Sequence, residues 1–331
     1  MLFCYFGQRY KILKQSYLPN YKIGFGVFGT VKAENKLSPC TPSAIDLSKY
    51  DLYKKVYQEY LERFRIAHNT NSYYKVKCFD ALNQKISINN RNVLGYGLND
   101  EYGVMDTTGT ASGFNSEKLK EKALLELIEK NEVMLIWYLE KGYNVSIDKV
   151  VRRLINSIGF HSQDIYIFCS NNLCNLTTFS IFLFNNKEIV ATGVSIDKDS
   201  EKALSKALLE AKLLEAFYRD SDISPYKLFS NHQYKTIYEF VKNLSYTLES
   251  ICIEKDVKKD IILAPWITSI EFAILNTKCY QDYITIRCFS KELLNCIPNQ
   301  DNIFQSLDKK IFKSYNLSEA DILRKPPCII L

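Results

Sequence analysis

Seven side chains carry the chemistry this sequence could do. "QEYLERF" holds Glu59, Glu62 and Arg63; "LELIEKN" holds Glu126, Glu129 and Lys130; "LLEAKLLEA" holds Glu210. Residues three apart on a helix share one face. Glu59 and Glu62 therefore point the same way, as do Glu126 and Glu129. Two carboxylates held close raise one another's pKa, and an apolar flank adds the cost of burying charge. A divalent cation removes both penalties. Magnesium in particular takes carboxylate oxygens together with substrate phosphates. Arg63 and Lys130 would then be placed for phosphate oxygens or for pairing within the chain. The same spacing also describes a solvated helix face with lysine partners, since Lys122 and Lys130 lie four residues to either side of Glu126. Both readings stand at this level.

The acidic residues need helices to present them. Tyr53, Val56, Tyr57, Tyr60, Leu61 and Phe64 recur at helical spacing and predict a helix over 46–67. A second helix starts after the small-residue stretch Thr107 to Gly113, with Ser116 as N-cap, and runs to about Glu140. A third is read in "DSEKALSKALLEAKLLEAFYRD". The stretch "TGTASGFNS" could offer backbone N–H groups to phosphate at a helix N-terminus. It lacks the Gly-Lys-Ser/Thr of a P-loop. Between the helices, "YYKVKCFDAL", "DIYIFCS", "TTFSIFLFN" and "EIVATGVSI" read as strands, as do "DIILAPWI" and "DYITIRCFS" nearer the end. "SPCTPSAID" reads as a loop, and 224–260 as helical and polar. Glu-x-x-Glu followed by a cation occurs on two of the helices, which predicts an internal pseudo-repeat of sheet-and-helix halves.

Bulk properties exclude several classes. The 331 residues are 47% hydrophobic, enough for a sizeable core. The net charge of +6 is spread along the chain, which gives nucleic-acid binding no support. Ten cysteines form no Cys-x-x-Cys pair, and the three histidines (His68, His161, His232) are far apart, so zinc and triad chemistry are not indicated. No secretion signal and no membrane-length apolar run is read. These features predict a cytoplasmic protein with free, mostly buried thiols.

With those residues in place, the chain resembles the YcaO family. "GTASGFNSEKLKEKALLELIEKNEVMLIWY" is similar to the family's central loop-and-helix motif, "TPSAIDLSKYDLYKKVYQEYLERF" to its first acidic helix and "IVATGVSIDKDSEKALSKALLEAKLLEAFY" to its third. The three matches fall in family order over roughly 40–220. The resemblance implies an α+β, YcaO-like fold with mixed sheets packed on long helices, forming a single domain over 1–331 whose part after 221 completes the fold. It implies ATP-dependent cyclodehydration of Cys, Ser or Thr in a ribosomally made precursor peptide. There the side chain attacks the preceding amide, ATP phosphorylates the oxygen, and loss of phosphate leaves a thiazoline or oxazoline.

In family terms Glu59, Glu62, Glu126 and Glu129 would hold Mg2+, and Arg63, Ser112, Glu121, Lys122, Lys130 and Glu210 would lie near the nucleotide. The C-terminal carboxylate of Leu331 would be the catalytic base. Expected partners are the precursor peptide, an E1-like (ThiF-like) protein that grips its leader, and an FMN-dependent dehydrogenase. They would form a hetero-oligomer in which a homodimer of this chain is allowed, with no nucleic acid and no membrane. The chain departs from the pattern at Lys130, where Arg is usual, at Leu213, where Gln is usual, and in its ending Lys325-Pro326-Pro327-Cys328-Ile329-Ile330-Leu331. Two other outcomes fit the resemblance: another YcaO reaction such as thioamide or amidine formation, or a non-catalytic scaffold subunit.

Overall fold

The computed structural model of the chain describes residues 2–4, 9–13, 21–27, 30–33, 36–37, 42–70, 74–219, 225–253, 255–276 and 283–330. Two compact units result. The first comprises Met1–Leu127, Pro265–Ile297 and Asn302–Lys313, and the second Ile128–Ala264, Pro298–Asp301 and Ser314–Leu331.

The first unit begins with β1 (Leu2–Cys4), β2 (Arg9–Leu13), β3 (Lys22–Val27), β4 (Thr30–Ala33), β5 (Lys36–Leu37) and β6 (Ser43–Asp46). Helix α1 (Lys49–Thr70) follows, then β7 (Lys75–Asp80), β8 (Lys85–Asn90), β9 (Gly97–Asn99), β10 (Gly103–Met105) and β11 (Thr110–Gly113). Helix α2 (Ser116–Leu139) opens in this unit and continues without a break into the second. The later strands β17 (Glu271–Ile274) and β18 (Ile284–Phe289) return to the first unit and complete a five-stranded sheet of order β11-β18-β17-β7-β8. Every pair in it is antiparallel. A separate antiparallel sheet has the order β2-β3-β6. Leu52, Val56, Tyr60, Leu61, Phe64 and Ala67 of α1 are buried together with Ala44 of β6. Ile66, on another side of α1, packs with Cys78 and Ala273 of the five-stranded sheet. The helix is thus wedged between two sheets, and its polar flank is only half-buried.

The second unit contains β12 (Tyr143–Val145), α3 (Lys149–Ile158), β13 (Asp164–Ser170), β14 (Thr178–Asn185), β15 (Glu188–Ile196), α4 (Ser200–Arg219), α5 (Asn231–Thr247) and β16 (Ser250–Ile251). Its sheet order is β15-β14-β13-β12-β16, antiparallel except between β12 and β16. Helices α3 and α4 cover one face through Val151, Ala203, Ala207 and Ala211 against Ile167, Ile181 and Leu183. The small residues matter here. A Cβ on Gly193 would lie 2.2 Å from the Ala207 carbonyl oxygen, so only glycine lets α4 approach β15 this closely.

Mixed sheets on long helices are what the α+β reading predicts. Four local readings change. The N-cap of α2 is Asn115, whose side chain accepts from the Lys118 N–H at 3.1 Å; Ser116 is already helical. The helical stretch read over 224–260 is α-helical only as α5, with a 3-10 turn at Pro225–Leu228 before it, because the capping box of Ser230 and Gln233 starts the helix late and Leu248 turns extended. "DIILAPWI" forms no strand, only a bridge from Leu263 to Cys174, and the expected loop ends in strand β6 at Ser43. Among the described residues, seven cysteines are free and only Cys252 of these is exposed. No described helix is long and apolar enough to cross a membrane.

Candidate active site

An edge strand leaves every second N–H without a partner, and buried amides need one. In the first unit, glutamates supply it. The Ser43 N–H of edge strand β6 donates to Glu59 Oε2 at 3.0 Å. On edge strand β11, the Thr110 N–H donates to Glu126 Oε2 at 3.1 Å and the Ser112 N–H to Glu62 Oε1 at 2.8 Å. Helices α1 and α2 thereby set three carboxylates against two strand edges. Cations complete the set: Arg63 pairs with Glu59, and Lys122 Nζ lies 3.2 Å from Glu62 Oε1. Burial pushes the Glu59 carboxyl above its ordinary range; Arg63 draws it back and Glu62 pushes it further up. The field of Glu62 holds Lys122 above its ordinary value, with Glu126 adding to it. Beneath β11, Arg287 is fully buried and donates to the carbonyls of Leu94 at 2.8 Å and Asp106 at 2.6 Å. Burial lowers its pKa to about 10.

The second unit repeats the device. The Val194 N–H of edge strand β15 donates to Glu210 Oε2 at 2.7 Å. In all three strand–helix connections the glutamate follows its strand amide by 16 residues: Ser43 to Glu59, Thr110 to Glu126 and Val194 to Glu210. Glu129 pairs with the buried Lys130 at 3.2 Å. Burial drives the Glu129 carboxyl up to about 7; Lys130 pulls it down and Glu210 pushes it up. Burial raises Glu210 as well, against the pull of Lys130.

The residues expected from sequence fall into place as follows. Glu59, Glu62, Arg63, Ser112, Lys122 and Glu126 come together in the first unit, and Glu129, Lys130 and Glu210 in the second. Glu121 is half-buried on α2, but helical geometry turns it about 140° from Glu126. Ser112 is held by two contacts. Its N–H is held by Glu62 and its hydroxyl bonds Thr285 Oγ1, while the Thr108 and Thr110 amides go to Asp106 and Glu126. These three amides each hold a carboxylate, those of Thr110 and Ser112 because β11 is a sheet edge. Leu331 lies outside the described residues.

Among the described residues, no three His, Cys, Asp or Glu side chains are gathered closely enough to hold a metal ion by themselves. The donor set nevertheless fits magnesium. That ion usually binds through one or two carboxylates and completes its shell with water and phosphate. Here hard oxygen donors are pinned by hydrogen bonds to strand amides, as orienting partners pin metal ligands elsewhere. Burial raises the Glu59, Glu129 and Glu210 carboxyls despite their cationic neighbours, a cost that a divalent cation would offset.

Sequence reasoning missed two features. Lys122 pairs across to Glu62 on α1. In the second unit, the segment before the C-terminus is tied down by aromatic side chains: Trp137 Nε1 donates to the Pro326 carbonyl at 2.7 Å, the Cys328 N–H donates to Tyr138 Oη at 3.1 Å, and Tyr226 Oη donates to the Ile329 carbonyl at 3.0 Å. The aromatic run "IWY" at 136–138 was the available signal.

The fold is that of a nucleotide- and magnesium-binding class. The family model described as YcaO cyclodehydratase, ATP- and Mg2+-binding, matches residues 30–250. The chain belongs to the YcaO family. Its structure is similar to YcaO from Methanopyrus kandleri bound with AMPPCP and Mg2+, with TM-score 0.66 and 14% identity over 87% of this chain and 86% of that one. It is also similar to a chain of the E. coli microcin synthetase McbBCD complex with pro-MccB17 bound, with TM-score 0.64 and 13% identity over 96% of each chain. A heterocyclase in complex with substrate and cofactor gives TM-score 0.61 and 10% identity over 95% of this chain and 53% of that one. No curated protein matches the sequence.

Proposed function

We propose that the chain catalyses ATP-dependent cyclodehydration of Cys, Ser or Thr residues in a ribosomally made precursor peptide, giving thiazolines or oxazolines. The observation that carries this reading is the set of carboxylates anchored on edge-strand amides, joined to membership of a family described as an ATP- and Mg2+-binding cyclodehydratase. Glu59, Glu62 and Glu126 in one unit, and Glu129 and Glu210 in the other, are the proposed magnesium ligands. Arg63, Lys122 and Lys130 are the proposed phosphate partners, since charge neutralisation and positioning dominate phosphoryl transfer. Bound ATP supplies the phosphoryl group that makes the amide oxygen a leaving group. The chain's own residues hold and orient it, and the strand amides keep each carboxylate from swinging away.

The likeness to a chain of a synthetase complex supports a multi-protein assembly, with an E1-like leader-gripping subunit and a flavin dehydrogenase as proposed members. We read residues 1–331 as one YcaO-like domain. A scaffold role has one observation in its favour: Lys122 and Arg63 already neutralise Glu62 and Glu59. Mass spectrometry of the co-expressed precursor peptide separates the readings. Loss of one water per modified Cys or Ser, dependent on ATP, is expected. Exchange of oxygen for sulfur indicates thioamide formation, and an unmodified peptide with no ATP consumed indicates a scaffold.

A further inference from the structure

Arg65 of α1 is a second fully buried arginine of the first unit, besides Arg287. Arg287 holds backbone carbonyls, whereas Arg65 holds side chains. Its Nη1 donates to Thr285 Oγ1 of β18 at 2.7 Å and to Asn276 Oδ1 at 3.2 Å. The same Asn276 oxygen accepts the Thr285 N–H at 3.1 Å. Thr285 Oγ1 in turn lies 2.5 Å from Ser112 Oγ. Thr285 and Ser112 are directly paired in the β11–β18 ladder, so both hydroxyls stand on one sheet face.

This chain of contacts has a direction. A guanidinium only donates, so Arg65 occupies a lone pair of Thr285 Oγ1. A hydroxyl that accepts from a cation becomes a stronger donor, which directs the Thr285 proton toward Ser112 Oγ. Burying a guanidinium is costly, and burial lowers the Arg65 pKa. An apolar side chain would fill the same space without that cost. What the charge adds is a directed hold on β11, the strand at the sheet edge.

Glu62 lies three residues before Arg65 and shares its helix face. Glu62 Oε1 accepts the Ser112 N–H at 2.8 Å, and Lys122 Nζ of α2 reaches the same oxygen at 3.2 Å. Helix α1 therefore grips Ser112 twice: at the amide through Glu62, and at the hydroxyl through Arg65 and Thr285. A single bond leaves α1 free to pivot about Ser112. The second bond sets the register of α1 along β11, and with it the place where Glu62 stands at the strand edge.

We propose that Arg65 is a positioning residue for the magnesium site: acting through Thr285 Oγ1 and Ser112 Oγ, it locks α1 against β11 so that Glu62 is held ready for the cation of bound nucleotide. This rests on the Mg2+·ATP reading given above. Orienting partners of this kind tune a metal site without touching the metal.

The test uses the full chain. Thr285→Val keeps the shape of the side chain and deletes the relaying hydroxyl, and Thr285→Ser retains it. The Mg2+ concentration that half-saturates ATP binding, read by calorimetry, is expected to rise about tenfold or more in Thr285→Val and to stay near the wild-type value in Thr285→Ser. Without any ligand, hydrogen exchange at the Ser112 amide is expected to quicken by about tenfold in Thr285→Val, with the amides of β14 unchanged. Ser112→Ala breaks the same link from the other side and carries the test if Thr285→Val does not fold; it too is expected to raise the Mg2+ requirement. In the double variant the two losses are expected not to multiply, because both remove one network. An unchanged Mg2+ requirement in Thr285→Val or Ser112→Ala, multiplying losses in the double variant, or lower stability in urea with unchanged affinity of the folded protein would each overturn the proposal and leave the Mg2+·ATP reading standing. A wild type that binds no Mg2+·ATP would overturn that reading and the proposal with it.

Discussion

Glu129 gives the sharpest expectation. Its carboxyl titrates near 7 in the folded protein against an ordinary 4.5, chiefly through burial and then through the balance of Lys130 and Glu210. The unfolded chain releases this proton at lower pH than the folded one. Between about pH 4.5 and 7 the folded state therefore binds more protons, and stability falls as pH rises through that window. One pKa unit corresponds to about 1.4 kcal/mol, so the full shift is worth roughly 3 kcal/mol. Glu129→Gln carries no titrating proton and is expected to lack this component. Urea unfolding of both proteins at several pH values from about 5 to 8, without Mg2+, measures it. The wild type is expected to lose about 2–3 kcal/mol more than Glu129→Gln across the window. Saturating Mg2+ and ATP is expected to shrink the difference, because a cation at the carboxylate favours the deprotonated form. Parallel pH profiles for the two proteins would refute the idea that burial of this carboxylate is what a cation relieves.

Three further perturbations follow from single contacts. Gly193→Ala places a Cβ 2.2 Å from the Ala207 oxygen and 2.5 Å from the Ala211 nitrogen, so α4 must move; we expect about 3 kcal/mol of destabilisation and weaker Mg2+·ATP binding, read by urea unfolding and calorimetry, as Glu210 slips from Val194. Arg287→Met strips the Leu94 and Asp106 carbonyls of their buried donor and is expected to cost about 3 kcal/mol in urea unfolding. Trp137→Phe removes the indole donor to Pro326; about 1–2 kcal/mol of destabilisation in urea unfolding and faster amide exchange at Cys328 are expected.

The long helices were legible because their apolar residues recur every three to four positions. Of the residues in that spacing, Val56, Tyr60, Leu61 and Phe64 are buried, while Tyr57 is half-buried and Tyr53 lies exposed at the edge of the stripe. The acidic residues of those helices were legible by the same geometry, since carboxylates on a half-buried flank need a reason to be there. What the carboxylates touch was not legible. The Ser112 amide meets Glu62 across 50 residues of chain, a contact that depends on β11 ending up as a sheet edge. Strand order is a tertiary property, and alternation within "TTGTASG" does not encode it. One clue was present. "SEKLKEKALLE" over 116–126 and "SEKALSKALLE" over 200–210 are nearly the same string, each ending on a glutamate that caps a strand amide 16 residues earlier. Helix starts were missed by one residue at Asn115, because Asn and Ser are both good caps and only the hydrogen bond to Lys118 distinguishes them.

Carboxylates fixed on edge-strand amides are proposed to hold the magnesium of bound ATP. Calorimetric titration of Mg2+·ATP into the wild type, Glu126→Gln and Glu210→Gln tests it most directly, since glutamine keeps an oxygen for the Thr110 or Val194 amide and removes only the charge. Measurable binding to the wild type and at least about tenfold weaker binding to each variant are expected, with unchanged circular dichroism. Binding of equal strength to all three proteins would contradict it.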